Sequence, residues 1–114
     1  MRFFYSCEIA YQAEIARDVT FAHNGLGVVI GHSAVIGHRV HILHNVTIGG
    51  RGEHKAPDGR SNPIIGNDVL IGAGACVLGP ISVQDNAKIG ANAVVISDIP
   101  ANAIVVGIPA KIIK

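Results

Sequence analysis

The chain has 114 residues, a formal net charge of +1, 49% apolar, 15% charged and 4% aromatic residues. That length sets a single domain over residues 1–114, the apolar content excludes a disordered chain, and the near-neutral charge argues against nucleic acid as the main partner. Ile and Val together number 30 against four Leu, a β-branched excess that disfavours a helical bundle and favours strands.

The opening segment, Met1-Arg2-Phe3-Phe4-Tyr5-Ser6-Cys7-Glu8, reaches an acid before an apolar stretch forms, unlike a secretory leader. No apolar run approaches the roughly 20 residues of a membrane helix. Two cysteines, Cys7 and Cys76, are too few for a disulfide scaffold. The expectation is a cytoplasmic protein with reduced thiols and no membrane insertion.

From Ile9 onward an aliphatic residue recurs every six positions. Ile9, Ile15 and Phe21 fit, the count slips at His23-Asn24-Gly25-Leu26-Gly27-Val28-Val29, and it resumes at Ile30, Ile36, Ile42 and Ile48. A polar stretch follows, carrying Arg51, Glu53, His54, Lys55, Asp58, Arg60 and Asn62. The register then returns at Ile65, Ile71, Val77, Val83, Ile89 and Val95. The second position of the unit is often glycine (Gly31, Gly37, Gly49, Gly66, Gly72, Gly90), and the fifth is small or branched (Ala34, Val40, Val46, Val69, Ala75, Ala87, Ala93).

Six is not a multiple of the helical 3.6, and two-fold alternation needs no glycine every sixth residue. A six-residue unit does suit one flat side of a triangular coil. The aliphatic points inward, the small residue fills the corner, and glycine permits the bend. Three units close an 18-residue turn, and successive turns stack like parallel strands. The fold expected is all-β: a parallel β-helix with residues 50–64 projecting as one loop, where function concentrates.

Three of the six histidines, His32, His38 and His44, share the third position of consecutive units. They diverge around the perimeter and read as solvated corner residues. No histidine has a second one five residues on, as the three-histidine zinc site of β-helical carbonic anhydrases requires, so no metal is expected. His23 differs, because it stands where the repeat breaks. A corner insertion makes a notch, and a histidine there is either a turn residue or a general base working near neutral pH. Glu8, fifteen residues earlier, lies one coil below and three residues around the perimeter of an 18-residue turn. A carboxylate there is either a solvated acid or the group that orients the imidazole. Cys76 has no histidine near it in register, and Cys7 adjoins Glu8, which disfavours a thiolate, so neither is a nucleophile.

Three ordered segments carry a resemblance: His23 to Gly31; Ile42-Leu43-His44-Asn45-Val46-Thr47-Ile48-Gly49-Gly50; and Ile71-Gly72-Ala73-Gly74-Ala75. With the ending Val106-Gly107-Ile108-Pro109-Ala110-Lys111, they resemble serine acetyltransferase and its relatives among the hexapeptide-repeat acyltransferases. The resemblance spans about Glu8 to Lys111. It implies a left-handed winding, which the period alone does not supply. It also implies a homotrimer with acetyl-CoA in grooves between neighbouring prisms.

The family's catalytic histidine falls on His23 and its acidic partner on Glu8. Its acetyl-CoA contacts fall on Gly50, Arg51, Ala73, Lys88, Ala91, Gly107 and Lys111, the two lysines suiting phosphate groups. Two family positions that bind serine are changed, to Ala22 and Asn62. The loop is three residues longer, and it supplies His54 beside Asn62 as an acceptor-side candidate. No counterpart of the helical N-terminal domain of longer relatives is present, so a trimer is expected rather than a hexamer.

The activity expected is acetyl-CoA-dependent O-acetyl transfer to a hydroxyl of a small acceptor, serine or alternatively a sugar or polysaccharide. A different class, a non-catalytic β-helix serving binding or assembly, shares the same scaffold.

Overall fold

Each six-residue unit forms one short strand and one corner, and three units close a coil. The computed structural model describes residues 8–114, so the reading of Cys7 lies outside the described residues. The first coil carries β1 (Glu8–Ile9), β2 (Glu14–Ile15) and β3 (Thr20–Phe21), and the second β4 (Val29–Ile30), β5 (Val35–Ile36) and β6 (His41–Ile42). The third carries β7 (Thr47–Gly49), β8 (Ile64–Ile65) and β9 (Leu70–Ile71), and the fourth β10 (Cys76–Leu78), β11 (Ser82–Val83) and β12 (Lys88–Ile89). The fifth has β13 (Val94–Val95), a bridge at Ile99 and β14 (Ile104–Val106), after which β15 (Lys111–Ile112) follows.

Equivalent strands pair in parallel and build the three sides of a prism. Sheet A is β1-β4-β7-β10-β13, sheet B is β2-β5-β8-β11, and sheet C is β3-β6-β9-β12-β14 with β15 antiparallel along its outer edge. The hexad aliphatics point inward in columns. Ile30, Ile36, Ile42, Ile48, Ile65, Ile71, Val77, Val83, Ile89 and Val95 are all buried, and Ile9, Ile15 and Phe21 of the first coil are partly buried against them. The small fifth-position residues fill the corners: Ala34, Val40, Val46, Val69, Ala75, Ala87 and Ala93 have no solvent exposure. The expected parallel β-helix is the architecture observed.

The coils are not of equal length. Glu8 pairs with Val29, so the first coil takes 21 residues, whereas Val29 pairs with Thr47 eighteen residues on. Glu8 therefore stacks beneath Val29 and not at the 18-residue register. The last coil is short, because Val83 pairs with Ile99 after only sixteen residues. There Asp98 accepts a hydrogen bond from the Ser82 backbone N–H (2.9 Å) and trims the corner. This moves the inward positions to Ile99 and Val105, which the six-residue count does not reach.

The loop leaves after Gly49 and ends at residue 63, one residue before the expected limit, because Ile64 already pairs with Val35 and Ser82. Its last residues, Asn62 and Pro63, do not project. Both are buried in the corner between sheets A and B, so polarity was a poor guide to their position.

The corner between sheets B and C carries a ladder of charges. Arg39 makes a two-pronged contact with Asp68 (2.8 and 3.2 Å), and its backbone N–H donates to Asp18 (3.1 Å), which also meets His38 Nδ1 at 3.2 Å. The Arg39 backbone hydrogen bond holds the Asp18 carboxyl below its ordinary value of 3.8, and the Arg39 side chain does the same for Asp68. A depressed folded-state value means stabilisation present above the unfolded value and lost as pH falls through the folded one. Asp68→Asn is therefore expected to lower the unfolding temperature slightly at pH 7, and the difference should vanish by about pH 2–3. Calorimetry across pH checks this, and a difference that persists at pH 2 contradicts it.

Candidate functional site

The extra residues of the first coil sit where sheet C turns into sheet A. His23 (φ 52°), Asn24 (φ 59°) and Gly25 (φ 74°) follow one another in the left-handed region, forming a reversed turn. A non-glycine residue there is uncommon, and such backbone persists only when its surroundings over-determine it. Here the Leu26 N–H donates to the His23 carbonyl (3.2 Å), the Val28 N–H to the Gly25 carbonyl (3.0 Å), and the Asn45 N–H of the next coil to the Leu26 carbonyl (2.8 Å). Gly27 (φ 70°) leaves room for the Asn45 side-chain carbonyl, which a β-carbon at that position would strike. The turn is thus pinned from above and presents an exposed imidazole at the prism edge.

The second coil places His44 against this imidazole. The two rings lie edge to face, with centroids 5.0 Å apart and an interplanar angle of 89°, an ordinary geometry for paired rings. His44 is only partly exposed, and its Nδ1 is buried with no hydrogen-bond partner among the described residues. The reading of His44 as a solvated corner residue is therefore corrected. His32 and His38 are exposed, as expected. The register explains the meeting: Phe21 pairs with Ile42, so the coil spans 21 residues there, the same as the spacing from His23 to His44.

The same edge continues upward through residues with small side chains. Gly72 and Ala73 turn the third coil and Gly90 and Ala91 the fourth, joined by the Asn92 N–H to the Ala73 carbonyl (2.8 Å). Gly107 turns the fifth, its carbonyl accepting from the Val94 N–H (3.0 Å), and Lys111 follows at the start of β15. Of the candidate donor-binding residues, Ala73, Ala91, Gly107 and Lys111 thus share one edge with His23. Lys88 stands on the outer face of sheet C between Leu70 and Ile104, beside a shallow hollow lined by Asp68, Asn86 and Asn102. Glu8 is exposed on β1, at the sheet A border of the notch.

The remaining candidates occupy the opposite edge of sheet A. Gly50 is exposed, and the Arg51 chain runs past Gly79, whose N–H donates to the Gly49 carbonyl (2.9 Å). His54 is exposed, and its backbone N–H donates to the Arg51 carbonyl (3.2 Å). Asn62 is only 3% exposed: its amide donates to Ser61 Oγ (3.1 Å), and its side-chain carbonyl fills the space a β-carbon would take on Gly31. Arg60 reaches the Pro80 carbonyl at 3.3 Å. From Asn45 to Gly49 is about 13 Å of extended chain, so the loop leaves the prism on the other edge of sheet A from His23. Among the described residues, no group of three His, Cys, Asp or Glu side chains is arranged to hold a metal ion, and no helix is long and apolar enough to cross a membrane.

Comparison with known proteins adds to this geometry. The bacterial transferase hexapeptide family (six repeats) matches residues 62–97. The serine acetyltransferase of Helicobacter pylori is 50% identical over 112 residues, covering 98% of this chain and 63% of that protein. That of Staphylococcus xylosus is 47% identical over 113 residues, covering 99% of this chain and 50% of that protein. The chain thus spans about half to five-eighths of the length of these relatives. Among solved structures, a Neisseria gonorrhoeae serine acetyltransferase in complex with serine superposes with a TM-score of 0.87 at 41% identity, over 96% of this chain and 43% of that one. A serine acetyltransferase in complex with CoA superposes with a TM-score of 0.83 at 39% identity, over 95% and 42% of the two chains. The coil shares the left-handed winding of these neighbours.

Gly27→Ala tests the notch as a built feature. It places a side chain at positive φ and against Asn45, so urea denaturation should register a loss above about 1 kcal/mol. Gly49→Ala, whose β-carbon would meet nothing within 4 Å, is the control and should leave stability nearly unchanged. Equal effects at the two positions would contradict the account of the notch.

Proposed function

The chain belongs to the serine acetyltransferase-like hexapeptide-repeat acyltransferases, and from that premise we propose that it transfers the acetyl group of acetyl-CoA to a hydroxyl of a small acceptor. The observation that carries this reading is the left-handed turn that presents His23 at the foot of an edge lined with small residues.

The donor's thioester supplies an acyl carbon and a thiolate leaving group. His23 takes the proton of the acceptor hydroxyl as its oxygen bonds to that carbon, and returns the proton to the departing thiolate. Glu8, across the notch, orients the imidazole and supports its cationic form. A backbone N–H of the notch or of Gly49-Gly50 faces the negative charge that develops on the carbonyl oxygen. The donor fits the chain's own groups. Gly72-Ala73 and Gly90-Ala91 give the middle of the edge small side chains, open space lies beside Gly49, and Lys88, Lys111 and Arg51 are cations suited to phosphates.

The proposal includes a homotrimer. Gly50, Arg51, His54 and Asn62 lie on one edge of sheet A, and His23 with Ala73, Ala91 and Gly107 on the other. A second copy docked side by side brings the two edges together. The proposed place of action is the cytoplasm, with Cys76 as a free thiol.

The acceptor is serine or a sugar hydroxyl. A sugar is kept as the alternative because Ala22 has no charge for an ammonium and Asn62 is neutral and largely buried. Charged hydrogen bonds are worth about 1.5–3 kcal/mol each, so lacking two of them weakens serine as an acceptor by several hundredfold or more.

Release of CoA thiol, followed with L-serine and a panel of sugars, tests the activity. His23→Ala should lower kcat by roughly 10²–10⁴-fold and leave acetyl-CoA affinity within a few-fold, with Glu8→Gln costing less. An unchanged kcat in His23→Ala would assign the base to another residue, and a serine value far above every sugar would show that loop residues replace the two missing contacts. Light scattering at micromolar concentration should return the mass of three chains, and an active monomer would sink the shared site.

A further inference from the structure

We infer that His44 is a positioning residue for His23, holding the ring of the base at the angle that the transfer needs. The inference rests on the reading of His23 as the base. In the proposed mechanism Glu8 addresses one nitrogen of this exposed ring, and general-base catalysis requires the reacting nitrogen as well to be held close to its productive geometry. His44 has what His23 lacks. It lies on an 18-residue coil free of insertion, between Ile42 and Val46, both fully buried. Its carbonyl accepts the Gly74 N–H of the coil above (3.0 Å), and the following residue, Asn45, fills the space over Gly27. Its backbone is therefore fixed by the regular stack, its side chain is half-buried, and its ring meets the His23 ring edge to face at 5.0 Å.

The chemistry of His44 is informative about which property matters. Its Nδ1 is buried and has no hydrogen-bond partner among the described residues. That nitrogen holds no hydrogen bond whose loss a carbocycle would expose, so it is the ring as a shaped surface, rather than a donor or acceptor at Nδ1, that supports the base. His44 acts through His23 and does not need to touch acceptor or donor.

The test compares His44→Ala and His44→Phe in the intact chain, with circular dichroism and unfolding temperature to confirm that both fold. His44→Ala should lower kcat by about 10–100-fold with KM for acetyl-CoA unchanged within twofold. His44→Phe, which restores a ring, should recover kcat to within a few-fold of wild type. In parallel, the His23 Cε1–H resonance, assigned through its disappearance in His23→Ala, should move in His44→Ala as the neighbouring ring current is lost.

A His44→Ala protein with wild-type kcat, a His44→Phe protein as slow as His44→Ala, or an unmoved His23 resonance overturns the inference while leaving the acyltransferase reading in place. A wild-type protein that transfers acetyl to none of the acceptors overturns that reading and this inference with it.

Discussion

Strands β1 to β10 donate N–H groups to carbonyls of the coil above: Val29 to Val46, Thr47 to Ala75 and Cys76 to Ala93 on sheet A, at 2.8–3.0 Å, with equivalent bonds on the other two sides. At the corners the direction reverses, as in Asp68 to His38 and Asn92 to Ala73. A buried backbone group without a partner is costly, so this stacking obliges every coil to follow the same path. Only residues that fit that path can occupy it, which is why the interior is a stack of Ile and Val with Ala and Val at the corners.

Chain that exceeds the common path can leave it only at a corner. The two large departures differ in size, and their structures differ accordingly. Three extra residues in the first coil are too few to leave the surface, so they are absorbed in a tight turn whose backbone is left-handed at His23, Asn24 and Gly25. Eleven extra residues in the third coil exceed what a turn absorbs, and they project. That loop bonds within itself, through the Ala56 N–H to the Arg60 carbonyl and the Arg60 N–H to Asp58, before Asn62 and Pro63 tuck back under the stack. Strain in the short departure and polarity in the long one both follow from the regularity between them.

The two departures fall on opposite edges of sheet A. A rigid prism has no hinge with which to fold one edge onto the other, so an arrangement that uses both draws on more than one copy. The outer face between them carries Glu8 at its foot and, above it, Val29, Thr47, Cys76 and Val94, none of them charged.

Much of this was legible in residue order. The six-residue recurrence from Ile30 to Val95, the small residues at the corners, the break at His23 and the polar excursion after Gly49 all appear as local pattern, because inward and corner positions select side chains by size and polarity. Three features were not legible, and each depends on how one coil stacks on another. The inward roles of Ile99 and Val105 follow from a corner shortened by Asp98, a contact with Ser82 sixteen residues earlier. The burial of Asn62 follows from a space left by Gly31 in the coil beneath. The meeting of His23 and His44 follows from a first coil of 21 residues, whereas an 18-residue count sets the two histidines out of step. Sequence by itself determined which residues face inward and where the chain departs from its path, because burial acts on each residue separately. Tertiary structure alone decided which departures touch which coils, because that depends on the summed length of everything wound between them.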